Sequence, residues 1–350
     1  MILIATNKGQ EADHQIGVSS QIRQHFARSG RLDNKVDTHF RAIMDEEPIF
    51  AYSTPLDLST GEGHSTASTT FTMAYIQDPV IQFAAARGMT MMRPLWNSYF
   101  NTAEELLDFH YHDFEHTKRL ASNYSTTLAK DAYASGSNDY KDIVELSARQ
   151  VLGATQFAGT PDNPLLFLKE ISSDGNLQTI DVIFPAFPFF LYTNPRWLAY
   201  LLEPLIEHTL SGQYPNDYAM HDLGSSFPNA TGHPDGQDEY MPVEECGNIL
   251  IMGLALVNSL VYDTGSAAAA PLVDDSEYSS NTDGSVFALK SDFNSEGIDY
   301  LDGPWGGPDK GLRQAKDWIH RSYRLWKQWT AYLVEYSLEP ANQCQSASRQ

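Results

Sequence analysis

The order of hydrophobic and polar residues changes character near residue 100. Before that point, short apolar or alternating segments lie between turn residues and predict β-strands at residues 1–6, Pro48–Ser53 and 68–77. One short helix is also predicted there, with Asp78 as its N-cap and Gly88 at its end. The pattern therefore favours a β-rich region at the start of the chain.

From Thr102 onward, apolar residues recur with the helical period. Thr102 and Glu105 have the spacing of a capping box, which predicts a helix to about residue 134. Caps and apolar periodicity predict further helices over residues 140–157, from Asn194 to Gly212, over residues 241–262 and over residues 310–338. The segment 264–308 is rich in Ser, Asp, Gly and Ala, which is typical of a surface insertion.

Together these patterns predict an α+β chain of more than one domain. A length of 350 residues is enough for about two domains. We expect a β-rich domain at residues 1–100, a helical domain at residues 101–343 and a divergent tail at residues 344–350.

The charge excludes two classes of partner. The chain has 45 Asp and Glu against 23 Lys and Arg, a net charge of −22. Nucleic acids and anionic membranes bind basic surfaces, so neither is an expected partner. No Lys or Arg lies between Arg196 and Lys290, whereas that span carries fourteen carboxylates. Part of this acidity is surface charge, and part can belong to a site.

Other features of the sequence bear on the compartment. The two cysteines, Cys246 and Cys344, form no zinc-binding or redox motif. The first residues lack the pattern of a signal peptide, and no apolar run of about 18 residues predicts a membrane span. Asn123 and Asn229 lie in sequons and are candidate sites of N-glycans in a secreted protein.

The segment 214–252 has the pattern of a catalytic loop that enters a helix. Its carboxylates lie close in sequence with no cation among them, so at least one is expected to retain a proton in a cleft. Hydrolysis of an amide or a glycosidic bond needs such an acid beside an ionised base. We expect Asp238 or Glu239 to be the acid and Glu244 or Glu245 to be the base, with Asp222 orienting His221.

Further residues are candidates for binding the substrate. Asp181 lies within an apolar run, where a carboxylate needs a partner or a function. The predicted substrate-binding residues are Asp181, Glu170, Asp235, His233 and Asn248. His110, His112 and His116 include a pair with i, i+4 spacing on one predicted helix, but no further ligand completes a set, so we expect no metal site and no cofactor.

Several enzyme classes lack their motifs here. The sequence contains no GxSxG, no HExxH, no phosphate-binding loop and no dinucleotide fingerprint. These absences argue against serine hydrolases of that type, zincins, kinases and Rossmann enzymes.

The segment HDLGSSFPNATGHPDGQDEYMPVEECGNILIM, from His221 to Met252, closely resembles the fungal glutaminase A family. Four further segments resemble it, in the same order along the chain: FRAIMDEEPIFAYSTPLDL from Phe40, QDPVIQFAAARGMTMMRPLWNSYF from Gln77, FLKEISSDGNLQTIDVIFPAFPFFLYTNP from Phe167 and RLWKQWTAYLVEYSLEPANQ from Arg324. The resemblance implies a β-sandwich-like domain followed by a six-hairpin (α/α)6 barrel, and hydrolysis of L-glutamine to L-glutamate and ammonia. It also implies an extracellular or cell-wall protein.

The same resemblance leaves alternatives open. The chain starts inside the family's β domain and departs from it after Gln343, so we expect a fragment with a partial β-sandwich and an incomplete barrel. Six-hairpin architecture is shared with glycoside hydrolases, so a glycosidase is the second hypothesis. An inactive member of the family is the third.

Overall fold

A computed structural model describes residues 2–5, 12–42, 44–56, 67–86, 88–161, 163–170, 175–224, 226–262 and 312–337. The predicted insertion at 264–308 and the predicted tail at 344–350 lie outside these residues. The chain forms two compact units, residues 1–76 with 107–111, and residues 77–106 with 112–350. The boundary near residue 100 that the sequence predicts remains a prediction.

Among the residues that the structure describes, the first unit contains short strands and one complete helix. Strands β1 (Ile2–Ala5) and β5 (Thr72–Tyr75) pair antiparallel. Strand β2 (Asp13–Val18) is the centre of a second sheet, parallel to β3 (Lys35–Val36) and antiparallel to β4 (Pro48–Ser53). Helix α1 (Ser19–Ser29) follows β2 directly. The three predicted strands coincide with or contain β1, β4 and β5, whereas the β-sandwich itself remains a prediction.

The helix predicted between Asp78 and Gly88 is wrong. Strand β6 (Ile81–Ala85) lies there and pairs with β7 (Gly88–Met92) on one side and β10 (Asn229–Ala230) on the other. Four of its five residues are buried. Burial between two neighbouring strands outweighs the local cap signals, which favour a helix only weakly.

Helix α2 (Ala103–His112) has residues in both units, and the second unit continues with α3 (Phe114–Ser135) and α4 (Asn138–Ala154). Thr102 caps α2 as predicted, because its Oγ1 accepts from the N–H of Glu105 at 3.2 Å. The Glu105 carboxylate accepts from the N–H of Asn101, the residue before the cap, at 2.8 Å. The single helix predicted to residue 134 is interrupted at Asp113, whose carboxylate binds two side chains in the first turn of α3.

The helix predicted over residues 140–157 also ends early. The chain becomes extended at Thr155 and forms β8 (Thr155–Thr160), which pairs antiparallel with β9 (Asn163–Leu168). Every residue of β9 after Asn163 is buried. The hairpin therefore gains more from this burial than α4 would gain from another turn.

The remaining helices, α5 (Ile180–Thr193), α6 (Pro195–Leu210), α7 (Pro242–Tyr262) and α8 (Leu312–Tyr336), surround the main hydrophobic core. Asn194 caps α6 as the sequence predicts, accepting from the N–H of Arg196 at 3.1 Å. Glu203 of α6 is buried and accepts hydrogen bonds from Trp318, at 2.7 Å, and Arg321. These bonds attach α8 to α6.

Helix α7 is long and apolar enough, by length and composition, to cross a membrane. The sequence was expected to contain no apolar run long enough to cross a membrane, and by length and composition this expectation is wrong for residues 242–260. However, α7 packs against α5, α6 and α8 and buries one face in the core through Cys246, Ile249, Met252, Leu256 and Leu260. We interpret α7 as the core helix of the domain.

Both sequons lie in regular elements. Asn123 is in α3, and Asn229 is in β10, where its amide donates to the carbonyl of Ser226 at 3.0 Å. Both side chains are half-buried. Glycosylation of either residue remains a prediction.

Candidate active site

The candidate site is built by the start of α5, the loop between α6 and α7, and the first turn of α7. Gln178, two residues before α5, is fully buried and has a φ of 58°. Its amide accepts from the N–H of Leu168 at 2.5 Å and donates to the carbonyls of Leu166, at 3.2 Å, and Leu201, at 2.6 Å. These bonds fix the first turn of α5, and with it Asp181, against β9 and α6.

Three side chains from different segments meet at the centre of the site. Nε2 of His221 lies 3.6 Å from Oε1 of Glu245 and 4.0 Å from Oδ1 of Asp181. One ligand atom from each residue lies within 4.8 Å of the other two. His221 and Glu245 are buried, and Asp181 is half-buried. We call Asp181, His221 and Glu245 the central cluster.

The central cluster contains polar atoms without a hydrogen-bond partner among the residues the structure describes. They are Nε2 of His221, Oδ1 of Asp181 and both carboxylate oxygens of Glu245. Buried polar atoms are normally paired, because each unpaired one costs roughly 1–3 kcal/mol. Their convergence indicates a place for a bound molecule or ion.

Asp222 supports the central cluster from behind. It is buried, and its Oδ2 accepts from Nδ1 of His221 at 2.8 Å. Its Oδ1 accepts from Nε2 of His233 at 2.8 Å and from the N–H of Gly224, and Asn176 donates to Oδ2 at 3.4 Å. The imidazole of His221 is therefore held with Nε2 facing Glu245.

Asp238 fixes the backbone of the same loop. Its Oδ2 accepts from the N–H of His221 at 2.8 Å, and both of its oxygens accept from the hydroxyl of Tyr214, at 2.9 and 2.8 Å. Asn216 donates to Tyr214 at 3.1 Å and to the carbonyl of Gly236 at 3.1 Å. These bonds hold Asp238 against the backbone of the loop, and its role as the acid remains a prediction.

Glu239 and Glu244 have different surroundings. Oε2 of Glu239 lies 3.8 Å from Nε2 of His221, and its side chain is 63% exposed, so it can move between the cluster and solvent. Glu244 is exposed, in the same turn of α7 as the buried Glu245. Of the two glutamates that the sequence offers as a base, only Glu245 faces His221.

The other predicted substrate-binding residues lie outside the central cluster. Glu170 accepts from the hydroxyl of Thr179 at 2.9 Å, directly before α5. Asp235 is exposed and accepts from the N–H of Gln237 at 3.1 Å. Asn248 is buried on α7, one turn after Glu245. Their roles in binding remain predictions.

Burial and the neighbouring charges shift the pKa values of the central cluster and of Asp222. Burial lowers the pKa of His221. The hydrogen bond to Asp222 and the charges of Glu245 and Asp181 raise it by more than burial lowers it, so that the pKa is about 9. Burial, reinforced by the charge of Asp181, raises the pKa of Glu245 to about 8. Burial also opposes ionisation of Asp222, yet the hydrogen bonds from His221 and His233 hold its pKa well below its usual range. The cluster therefore retains protons near neutral pH.

Comparison of the sequence with known proteins identifies a family. Residues 137–269 match the glutaminase A six helical-hairpin domain, and residues 1–131 match a domain of unknown function, DUF5127. The chain is 57% identical over 343 residues to a protein of Arthroderma benhamiae named "Probable glutaminase", and 40% identical over 340 residues to glutaminase A of Aspergillus oryzae. The chain belongs to the glutaminase A family.

The alignments cover most of this chain but less than half of each relative. They include 95% of the chain and 40% of the Arthroderma protein, and 97% of the chain and 41% of the Aspergillus protein. No solved structure matches the chain. The α+β multidomain layout agrees with the matched six-hairpin domain and with the small sheets described above.

A substitution at Gly232 tests how the loop is held beside the site. Gly232 has a φ of 68°, and a Cβ at this position would overlap the imidazole ring of the buried His208. We expect Gly232→Ala to lower the free energy of unfolding by about 2 kcal/mol, through overpacking and backbone strain. Urea unfolding, followed by circular dichroism, measures the change.

The matched control for this prediction is Gly247→Ala. Gly247 lies in α7, and a Cβ added there would have no atom within 4 Å, so alanine should be neutral or slightly stabilising. Equal unfolding midpoints for the two variants would contradict the proposed packing of Gly232.

Several residues that shape the site were missed by sequence reasoning. Gln178, Tyr214, Asn216 and Asn176 each make hydrogen bonds that position a member of the site or its supporting loop. Tyr214 and Asn216 lie within the acidic loop itself, so their polar groups were a usable signal. For Gln178 the sequence offered no signal beyond a polar residue next to an apolar run.

Proposed function

We propose that this chain carries the reacting centre of a glutaminase, which hydrolyses L-glutamine to L-glutamate and ammonia. The observation that supports the proposal most is the central cluster, with its buried and unpartnered atoms of Asp181, His221 and Glu245. The names of the two relatives point to the same activity.

In this proposal the central cluster binds the attacking water. In the deprotonated form of Glu245, its carboxylate and that of Asp181 accept hydrogen bonds from the water, and Nε2 of His221 completes the surroundings of the water. Excluding bulk water strengthens these interactions, since His221 and Glu245 are buried. The held water is then oriented toward the side-chain carboxamide of glutamine.

Glu239 is the proton carrier in this scheme. The water oxygen bonds to the carboxamide carbon while the C=O π pair moves onto the carbonyl oxygen, and Glu239 takes a proton from the water. The C=O bond then re-forms as the C–N bond breaks with its electron pair on nitrogen. Glu239 delivers the proton to that nitrogen, which leaves ammonia and the side-chain carboxyl group of glutamate. Its exposed side chain, near Nε2 of His221, suits such a shuttle.

The acidic loop would bind the other end of the substrate. Free glutamine carries an α-ammonium group, which is attracted by the carboxylates of this cation-free span. We assign Asp235, exposed on the loop, to this contact.

The glycosidase hypothesis has weaker support. The facing oxygens of Asp181 and Glu245 lie within 4.8 Å of each other. Carboxyl pairs in retaining and inverting glycosidases are separated by about 5 to 9.5 Å. The first figure is a limit on the nearest oxygen atoms and the second separates whole carboxyl groups, so this spacing does not distinguish the two chemistries. The names of the two relatives favour a glutaminase.

Ammonia release from L-glutamine by the purified chain tests the proposal. We expect turnover with L-glutamine, less with L-asparagine, whose carboxamide is one methylene nearer to the α-carbon, and none with an oligosaccharide panel. Cleavage of an oligosaccharide without ammonia release would replace the proposal by the glycosidase hypothesis. A folded chain that is inactive on all substrates would contradict the proposal for this chain.

A further inference from the structure

The atoms that converge in the central cluster are metal-ligand atoms. They comprise one imidazole nitrogen and the oxygens of two carboxylates, contributed by α5, the loop and α7. Imidazole with carboxylate is a donor set suited to Zn²⁺ and to other divalent transition metals. Three protein ligands leave a fourth position open for water, as in catalytic zinc sites.

The distances between the ligand atoms of the central cluster are close to those in a zinc site. A tetrahedral zinc ion with bonds of about 2.1 Å separates its ligands by about 3.4 Å. Nε2 of His221 lies 3.6 Å from Oε1 of Glu245 and 4.0 Å from Oδ1 of Asp181. The third pair, the facing oxygens of Asp181 and Glu245, lies within 4.8 Å, so binding an ion requires the three side chains to move closer together.

The surroundings of His221 also fit a metal ligand. A metal-bound histidine usually donates its other ring N–H to a carboxylate, which fixes the tautomer and the ring orientation. Nδ1 of His221 lies 2.8 Å from Oδ2 of Asp222, and Asp222 is itself held by His233 and Gly224. Nε2 is thereby directed at the two carboxylates.

Burial provides an independent observation. Glu245 is 1% exposed, and neither of its oxygens has a hydrogen-bond partner in the part of the chain that the structure describes. Nε2 of the buried His221 is likewise unpartnered. A bound cation would satisfy all of these atoms together, and the negative potential of the cluster favours it.

We propose that Asp181, His221 and Glu245 bind one divalent transition-metal cation, with Zn²⁺ as the first candidate. This reverses the expectation of no metal that the sequence suggested. If the proposed glutaminase activity holds, these three side chains would hold the cation beside the reacting carboxamide, where it would lower the pKa of a bound water, and Glu239 would keep its role of moving the proton.

Zinc binding by the chelator-treated 350-residue chain tests the proposal without any substrate. Isothermal titration calorimetry should detect about one site with a dissociation constant in the micromolar range or below. We expect Glu245→Gln to weaken this site at least about 100-fold, because a ligand matters at least as much as its supporting residues. The substitution preserves shape, and a thermal melt verifies folding.

Glu244→Gln is the matched control, since it removes the same charge from an exposed position in the same turn. It should leave the zinc site unchanged. If Glu245→Gln does not fold, Asp181→Asn at the half-buried position serves instead. If the folded chain binds no zinc, or if Glu244→Gln and Glu245→Gln weaken zinc binding equally, the proposal is overturned.

Cobalt substitution gives a second readout. Co²⁺ in a four-coordinate site with nitrogen and oxygen ligands has a strong visible absorption, which octahedral surface complexes lack. We expect this band in the parent chain and in Glu244→Gln, and its loss in Glu245→Gln. Because both measurements use the metal alone, a failure of glutamine hydrolysis is distinguishable from a failure of metal binding.

Discussion

Glu245→Gln should lower ammonia release from L-glutamine by about 10²- to 10⁴-fold, the usual range for a group that activates water or transfers its proton. Glu245 is buried, and its Oε1 lies 3.6 Å from Nε2 of His221. In the proposed scheme Glu245 accepts a hydrogen bond from the attacking water, and the amide of glutamine would present a donor in place of one of its two acceptor oxygens. The measurement is kcat/KM for glutamine at pH 7, in variants verified as folded.

Glu244→Gln separates the role of Glu245 from a general effect of charge. Both glutamates lie in the first turn of α7, where the helix dipole favours negative charge, but Glu244 is exposed. We expect Glu244→Gln to retain activity within a few-fold. Comparable losses in both variants would indicate that the acidity of the turn, rather than the position of Glu245, supports the reaction.

Asp222→Asn should reduce kcat/KM by about 10- to 100-fold, as expected for a residue that orients a reacting or metal-binding histidine. The two oxygens of Asp222 accept from four groups, namely His221, His233, Gly224 and Asn176. Asparagine has only one acceptor oxygen. Its NH2 group would therefore face a donor, and His221 would lose either its tautomer or its orientation.

The effect of Asp222→Asn should appear mainly in kcat, because the substitution disturbs the histidine and not the substrate-facing surface. Asp217→Asn, an exposed change of the same charge in the same loop, should behave like the parent chain. A variant at Asp222 that keeps the parent kcat and remains folded would remove the Asp222–His221 pair from the mechanism.

Features set by neighbouring residues could be predicted from the sequence. The cap at Asn194, the cap at Thr102 and the start of α7 beside Glu244 agree with the structure. Each depends on groups within one helical turn, so the local sequence contains the relevant physics. The resemblance to glutaminase A depended on similar contiguous segments, and the comparisons confirm it.

Features that depend on distant partners could not be predicted. Asp78 and Gly88 have the signals of a helix start and a helix end. The residues between them nevertheless form strand β6, because β7 and β10 pair with it on either side. Likewise, the pattern of α4 does not reveal that residues 155–160 pair with β9. Pairing and burial of this kind outweigh local propensity, which amounts to less than about 1 kcal/mol per residue.

The sequence by itself determined the family, the acidic character of the loop and the short set of residues from which a site could be built. Only the tertiary structure decided that Asp181, His221 and Glu245 form the centre, that Asp238 is held in place by Tyr214, and that Glu244 faces outward. The reason is that the site combines a helix start, a loop and a second helix. The distances between these three segments are fixed by packing in the core, and this packing cannot be read from the order of residues along the chain.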